Sequence, residues 1–521
     1  EICACLVGSE MCIRDRADLL PTQDGHPPQA SIRTVLGPAT APGMPATLSL
    51  LTHCVPTVFP AAAEEDALRV AQPLTSAGNT AASGENLKKR TDLRALPLIT
   101  IDDATAQDFD DAIWAEHTAE GFRLIIAIAD VAHYVTPGSA LDAEARLRGN
   151  SVYLPGRVVP MLPPALSAGV CSLRPGEDRL CLFADLDISP EGQIRSGTLG
   201  RGLMRSAARL TYQAVQQVLD GTPLAPEQSP AMAGTVLPDL IHTLQAAALA
   251  LQADATARGV QVQPEDEYRV TLDAEGQPAD FVLRERLPAH DLVAAFMIAA
   301  NHFAADEMMR HNAAGLFRVH PAPPAASAAR TGGPRMPARM LARYAATPGR
   351  HHGLALAHYA HFTSPIRRYA DLVTHRALLA TLEHNARNTA SLQPDRADLL
   401  TLAEHLQMTE RRAASAVQTC QDRLAAIFLA PFIGHTLQAH VTAAMRSGVT
   451  VTLTKTGTPS FLSFLALPDE SGMNDESVSM RSDLSSGTRF LSGALLPVVL
   501  TATHPAQGTL VLAPAPVRHV S

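Results

Sequence analysis

Thr100 to Ile113 read TIDDATAQDFDDAI and set Asp102, Asp108, Asp110 and Asp111 within ten residues, among apolar neighbours. The apolar run Leu96 to Ile101 leads in with strand character, and Phe122 to Ala129 (FRLIIAIA) follows as a second strand. The carboxylates therefore belong where two buried strands approach each other. Carboxylates about 4 Å apart repel by roughly 1 kcal/mol per pair in water and roughly 4 kcal/mol nearer protein. A fold that gathers them needs cations or protons to offset that repulsion. Oxygen-only ligands suit Mg²⁺ or Mn²⁺ and not zinc. Two such ions about 3.5–4 Å apart are the usual arrangement for in-line phosphodiester cleavage.

Asp102 is expected to end a strand, with a loop that returns at Asp108. In extended chain Asp108 and Asp110 share one face and Asp111 takes the other. The four converge only if the backbone bends near Asp110. An arbitrary acidic cluster is more often a solvated turn. The calcium-loop pattern fits poorly, because it asks for Gly at its sixth position and a distal Glu. The flanking buried strands favour a metal site.

With these residues in view, the segment resembles the metal-binding signature of the ribonuclease II / ribonuclease R family of processive 3′→5′ exoribonucleases. The similarity extends from about Val35 to about Phe432 and is closer to the ribonuclease R branch. The resemblance implies an α+β fold: a mixed ribonuclease II-type catalytic domain, a C-terminal OB-type β-barrel, and a remnant of an N-terminal cold-shock-type barrel. It implies hydrolysis of single-stranded RNA to nucleoside 5′-monophosphates by a two-metal mechanism, with Mg²⁺, or Mn²⁺, as cofactor. Asp102, Asp108 and Asp111 would mainly bind metal. Asp110 would bind metal and be most tied to the chemistry.

Composition bounds the rest. The 521 residues are too many for one ordinary domain. No apolar run is long enough to span a bilayer, and no signal-peptide pattern opens the chain. The 7 cysteines are scattered without a CxxC pair, which fits a reducing cytoplasm better than a disulfide framework or a zinc site. A net charge of −9 does not advertise nucleic-acid binding, but the positive charge is almost all arginine, suited to a local arginine-lined groove for RNA. A monomer is expected, without membrane association.

Residues 1–16, EICACLVGSEMCIRDR, fit nothing that follows and are read as a non-native artefact. Residues 17–47 are read as the barrel remnant, with Ala30 to Gly37 as its last strand, and residues 48–90 as a linker comprising a partial helix and a mobile Ala-, Ser- and Glu-rich stretch. The catalytic domain is placed at 91–430 and the divergent barrel at 431–521, built from five strands between His435 and Leu512. Phe461 and Phe464 are its few stacking residues.

Within the catalytic region Tyr153, in NSVYLPGRVVP, matches a family tyrosine that clamps a base near the 3′ end. Tyr212, in ARLTY, matches a second RNA-contacting tyrosine. A lone tyrosine is otherwise more often a core residue with a satisfied hydroxyl. A helix is expected over Asp291 to Met309. There Ala294 and Ala295 stand where family members usually carry two glutamates, so RNA-over-DNA choice is in question. The stretch HYAHFTSPIRRYADLVTHR, His358 to Arg376, offers Ser364 as a helix N-cap and Pro365 as the first helical residue. Arg367 would then lie in the first turn of a phosphate-binding helix terminus, and by resemblance it holds the scissile phosphate. Arg368 is assigned to RNA, with ion pairing the alternative for it and for Arg376. His358 and His361 have no metal-ligand spacing. The rival reading is a catalytically impaired member that binds RNA without cleaving it.

Overall fold

The structure, a computed structural model, describes residues 13–19, 30–72, 74, 89–222, 236–260, 267–322, 341–383, 396–445, 448–463 and 493–515. At its centre lies a seven-stranded sheet. Its spatial order is Ala208–Thr211, Ile99–Asp102, Asp111–Thr118, Gly121–Ala129, Asp178–Ile188, Ile194–Arg205 and Thr91–Asp92. The outermost pairs are parallel and the rest antiparallel.

Side chains alternate across a strand, and here both faces are buried. Leu124, Ile126 and Ile128 enter one core with Leu182, Ala184 and Leu186, under the helices Tyr212–Leu219, Val236–Ala257 and Pro288–Arg310. Ile125, Ala127 and Ala129 enter a second core with Leu180 and Phe183, under Ala140–Arg148, Tyr369–Glu383 and the start of Arg396–Leu429. Burial on both faces is why Leu124 to Ala129 (LIIAIA) reads as a continuous apolar run and not as an alternation.

The 34-residue helix Arg396–Leu429 ties the regions together. Its first turns pack Leu399, Leu402 and Leu406 into the second core, its middle packs Ala413, Cys420 and Leu424 against Val152, Leu154 and Phe281, and Leu429 enters the C-terminal barrel. That barrel has five strands in the order Pro459–Ser463, Gly448–Leu453, Thr436–Met445, Leu495–His504 and Thr509–Pro514. The Ser460 hydroxyl donates to the Leu510 carbonyl at 3.4 Å, so the two outer strands curl toward each other. Phe461 is exposed, whereas Phe464 lies outside the described residues. So does most of the stretch expected to be a mobile linker.

At the amino-terminal side, Ile13–Leu19 pairs antiparallel with Ala30–Pro38. Ile13 to Arg16, part of the stretch read as a non-native artefact, are the first four residues of that first strand. Met44–Thr52 and Ala61–Val70 are helices.

One expectation is corrected. The helix after the SPIRR stretch begins at Tyr369, not at Pro365. Residues 365–367 are a turn and Arg368 forms a bridge with Asn150. The reason lies in the backbone bonds: the Ile366 N–H donates to Asp110, the Ser151 N–H takes the Arg367 carbonyl, and the Tyr369 N–H takes the Gly149 carbonyl. Groups that would open a helix are committed to distant partners. Ser364 is accordingly not an N-cap: its hydroxyl accepts from the Arg367 guanidinium and not from a backbone N–H of the next turn.

Candidate active site

The acids collect at one end of the central sheet. The strand Ile99–Asp102 ends at Asp102, as expected, and Thr211 pairs with Asp102 on the neighbouring strand. Asp111 opens the next strand opposite Ile128, and the Ala129 N–H extends the ladder to the Asp110 carbonyl at 2.8 Å. The connecting loop is fastened along its length. Arg209 donates to the carbonyls of Asp103 and Ala104, both at 2.8 Å. The Ser172 hydroxyl accepts from the Phe109 N–H and donates to the Gln107 carbonyl.

Asp110 is 4% exposed. Its Oδ1 accepts from the Ile366 N–H at 2.8 Å. Its Oδ2 is buried without a hydrogen bond and lies 3.5 Å from Arg367 Nε. Asp108 Oδ2 accepts from the Tyr153 hydroxyl at 2.6 Å. The Arg367 guanidinium also donates to the Ser364 hydroxyl at 3.0 Å, and its side chain remains half exposed. The tertiary structure therefore brings Asp108, Asp110, Tyr153 and Arg367 into one constellation, with the arginine in a turn and not in a helix.

Electrostatics tie Asp102 and Asp111 to the same group. Burial, followed by repulsion from Asp111, pushes the Asp102 carboxyl up to about 8, against the pull of Arg209. Burial pushes Asp111 up to about 6, with Arg367 and Arg368 opposing. Asp110 is raised by burial as well, again opposed by Arg367. A cluster that resists ionisation in this way is short of positive charge.

The donor set fits a hard divalent cation: carboxylate oxygens, one of them buried and unpartnered, around too little countercharge. The cage is not preformed. Among the described residues no three His, Cys, Asp or Glu side chains stand close enough to hold one ion.

The remaining assigned residues divide. Tyr212 stacks on His290 with ring centroids 4.1 Å apart, and the charges of Asp111 and Asp102 bear on its hydroxyl. Arg368 donates to Asp371 Oδ1 at 2.8 Å, the same oxygen that accepts from the Ser364 N–H, and so braces the turn. Arg376 is committed to Asp142 and to the Val135 carbonyl, both at 2.7 Å. His361 meets the Tyr344 hydroxyl at 3.0 Å. A cavity of about 180 Å³ beside the acids is lined by Asn150, Ser151, Tyr153, Tyr344, Arg367 and Glu410. A larger one, about 580 Å³, lies between Tyr268, Arg284, His290, Asp422 and Gly457. The smaller cavity is the one that contains Arg367.

Sequence reasoning missed Arg209, Ser172 and His290. Arg209 and Tyr212 stand three residues apart in the quoted ARLTY, and a cation that close to an assigned tyrosine was the available signal. Nothing in the sequence singles out Ser172 or His290. Ala294 and Ala295 also separate: Ala295 is part of the first core, whereas Ala294 is partly exposed.

A helix-covered mixed sheet with an acid cluster at its end, followed by a five-stranded barrel, defines the ribonuclease R-like fold class. The RNB domain matches residues 90–331 and 336–384, more than half of the chain. The chain belongs to the RNB domain family. It is 33% identical to Ribonuclease R of Escherichia coli over 464 residues, covering 80% of this chain and 56% of that relative. It thus spans about half the length of the first curated relatives it matches. Among solved structures it is similar to Mycoplasma genitalium RNase R in complex with ribose-methylated single-stranded RNA. The TM-score is 0.80 at 23% identity, over 94% of this chain and 80% of that one. It is also similar to yeast Ssd1, a pseudonuclease, with a TM-score of 0.63 at 18% identity, over 88% and 60% of the two chains. No helix among the described residues is long and apolar enough to cross a membrane.

Proposed function

We propose that this chain is a processive 3′→5′ exoribonuclease that hydrolyses single-stranded RNA to nucleoside 5′-monophosphates. The observation that carries the reading is Asp110: sealed at the end of the sheet, bonded to the Ile366 N–H, with its free oxygen 3.5 Å from Arg367. Kinship to proteins named Ribonuclease R supports it.

Asp102, Asp108, Asp110 and Asp111 would hold Mg²⁺, or Mn²⁺. Bound divalent ions would supply Lewis-acid polarisation of the phosphate and a water acidic enough to attack it. The chain's own groups do the rest. Arg367 presents a half-exposed guanidinium to the scissile phosphate and stabilises the charge that builds there. The exposed ring of Tyr153 offers a stacking face that reads no sequence, which suits stepping along any RNA. Tyr212, stacked on His290 and within reach of the charges of Asp111 and Asp102, would contact the RNA beside the acids. Arg368, tied to Asp371, contributes by fixing the turn that carries Arg367. The reading carries with it action as a monomer in the cytoplasm.

The test is release of mononucleotides from a uniformly labelled single strand by purified protein with Mg²⁺, beside an Asp110→Asn control. Equal behaviour of the two proteins sinks the reading.

A second reading, an RNA-binding member that does not cleave, is favoured by Ala294 and Ala295 and by the absence of a preformed cage among the described residues. Salt-dependent RNA binding without nucleotide release would establish it.

A further inference from the structure

We propose that the Tyr153 hydroxyl is a positioning group for Asp108, a role separate from any stacking by its ring; the inference rests on the nuclease reading above. Tyr153 sits in the strand Val152–Leu154, which pairs with Arg157–Val159. Val152 and Leu154 point into the core shared with Ala413, Cys420 and Leu424. Side chains alternate along a strand, so anchoring the two neighbours fixes the direction of the tyrosine between them. Its hydroxyl therefore reaches Asp108 from a rigid support.

Asp108 needs such a partner. The loop that carries it is fastened on one side through Asp103 and Ala104 by Arg209, and on the other through Gln107 and Phe109 by Ser172. Those bonds hold backbone and leave the Asp108 side chain to rotate. The Tyr153 bond to Oδ2, at 2.6 Å, falls in the range of a hydroxyl donating to a carboxylate anion. It selects one rotamer and leaves Oδ1 available to a cation. Hydrogen-bonded supports of this kind tune a metal ligand without touching the metal. The ring, with the residue 42% exposed, keeps a free face.

The two roles separate under substitution. Tyr153→Phe keeps the ring and removes one oxygen; Tyr153→Ala removes both. The probe is Mn²⁺, titrated into RNA-free protein and followed by electron paramagnetic resonance, with RNA affinity measured apart in chelator. Tyr153→Phe is expected to weaken Mn²⁺ binding by about 10-fold or more while RNA affinity stays unchanged. In turnover, kcat should fall at low metal and recover at high metal, with KM for RNA unmoved. Tyr153→Ala should lose RNA affinity as well. Wild-type Mn²⁺ affinity in Tyr153→Phe overturns the inference. Asp108→Asn is the reference: if it too binds Mn²⁺ like the wild type, the acid cluster is not a metal site and the nuclease reading itself falls.

Discussion

The Ile366 N–H donates to Asp110 Oδ1 at 2.8 Å, joining residues 256 positions apart. Through this bond the turn that carries Arg367 is docked on the acid at the sheet end, and the side proposed to bind phosphate meets the side proposed to bind metal. A carboxamide oxygen at position 110 can accept the same N–H. Asp110→Asn is therefore expected to fold with a near-normal melting temperature and to release mononucleotides only at background rate. Paired thermal and activity measurements check this.

Arg367 faces Asp110 from a turn, half exposed, and its fork can address two phosphate oxygens. Arg367→Ala should lower kcat by about 10²–10³, as expected when a group that stabilises developing charge is lost. Arg367→Lys keeps the charge but not the fork and should recover only part of the loss. Single-turnover rates at saturating RNA read the effect.

Stability without metal should depend on pH through Asp102 and Asp111. Their carboxyls are raised by burial to about 8 and about 6 in the folded chain, against about 4 when unfolded. The folded state therefore holds protons that the unfolded state has already released. The cluster's drain on stability is absent below about pH 4 and grows as pH rises through 6 and 8. Thermal unfolding in chelator should show this decline, and Mg²⁺ should offset it most at the alkaline end, where the ligands are ionised. A flat profile with chelator contradicts the assignment.

One residue beyond the rung between Ala129 and Asp110, Arg90 and Arg201 converge on Asp130 at 2.7 and 3.1 Å, with Asp130 fully buried. Burial opposes ionisation there, but the attraction of Arg90 and then Arg201 brings the carboxyl down to about 2. Its stabilisation is present above about pH 4 and is lost as pH falls toward 2. Arg90→Ala leaves a buried anion short of a partner and should cost about 3–5 kcal/mol. Denaturant unfolding at neutral pH measures the loss.

Ala294 and Ala295 should respond differently to restored carboxylates. Ala295→Glu places a charge in the core beside Phe296 and Leu292 and should destabilise the chain strongly. Ala294→Glu adds an acceptor at a partly exposed position and should leave the melting temperature nearly unchanged. If that position faces the nucleic acid, the variant favours RNA over a matched DNA oligomer more than the wild type does. Competition degradation with the two oligomers reads the ratio.

Much of the architecture was legible because it is written in local periods. A β-strand buried on both faces reads as an unbroken apolar run, and Leu124 to Ala129 read that way. The helix expected over Asp291 to Met309 is found, running from Pro288 to Arg310. The five barrel strands fall where short apolar segments alternate with turns. The helix start at Ser364 failed for a reason of the same kind: local capping preference was sound, but the N–H of Ile366 had a better acceptor in Asp110. Local propensity yields when a buried carboxylate needs a donor.

By itself the sequence determined the order of elements, the buried strands and the gathering of aspartates into one loop, since each depends on residues within a few positions of one another. Only the tertiary structure decided which distant groups complete the site: Ile366 on Asp110, Tyr153 on Asp108, Arg209 on the loop between the acids, and His290 on Tyr212. Those pairings arise when separately formed elements dock, and the polar groups buried at the joins must then find partners in whatever element arrives.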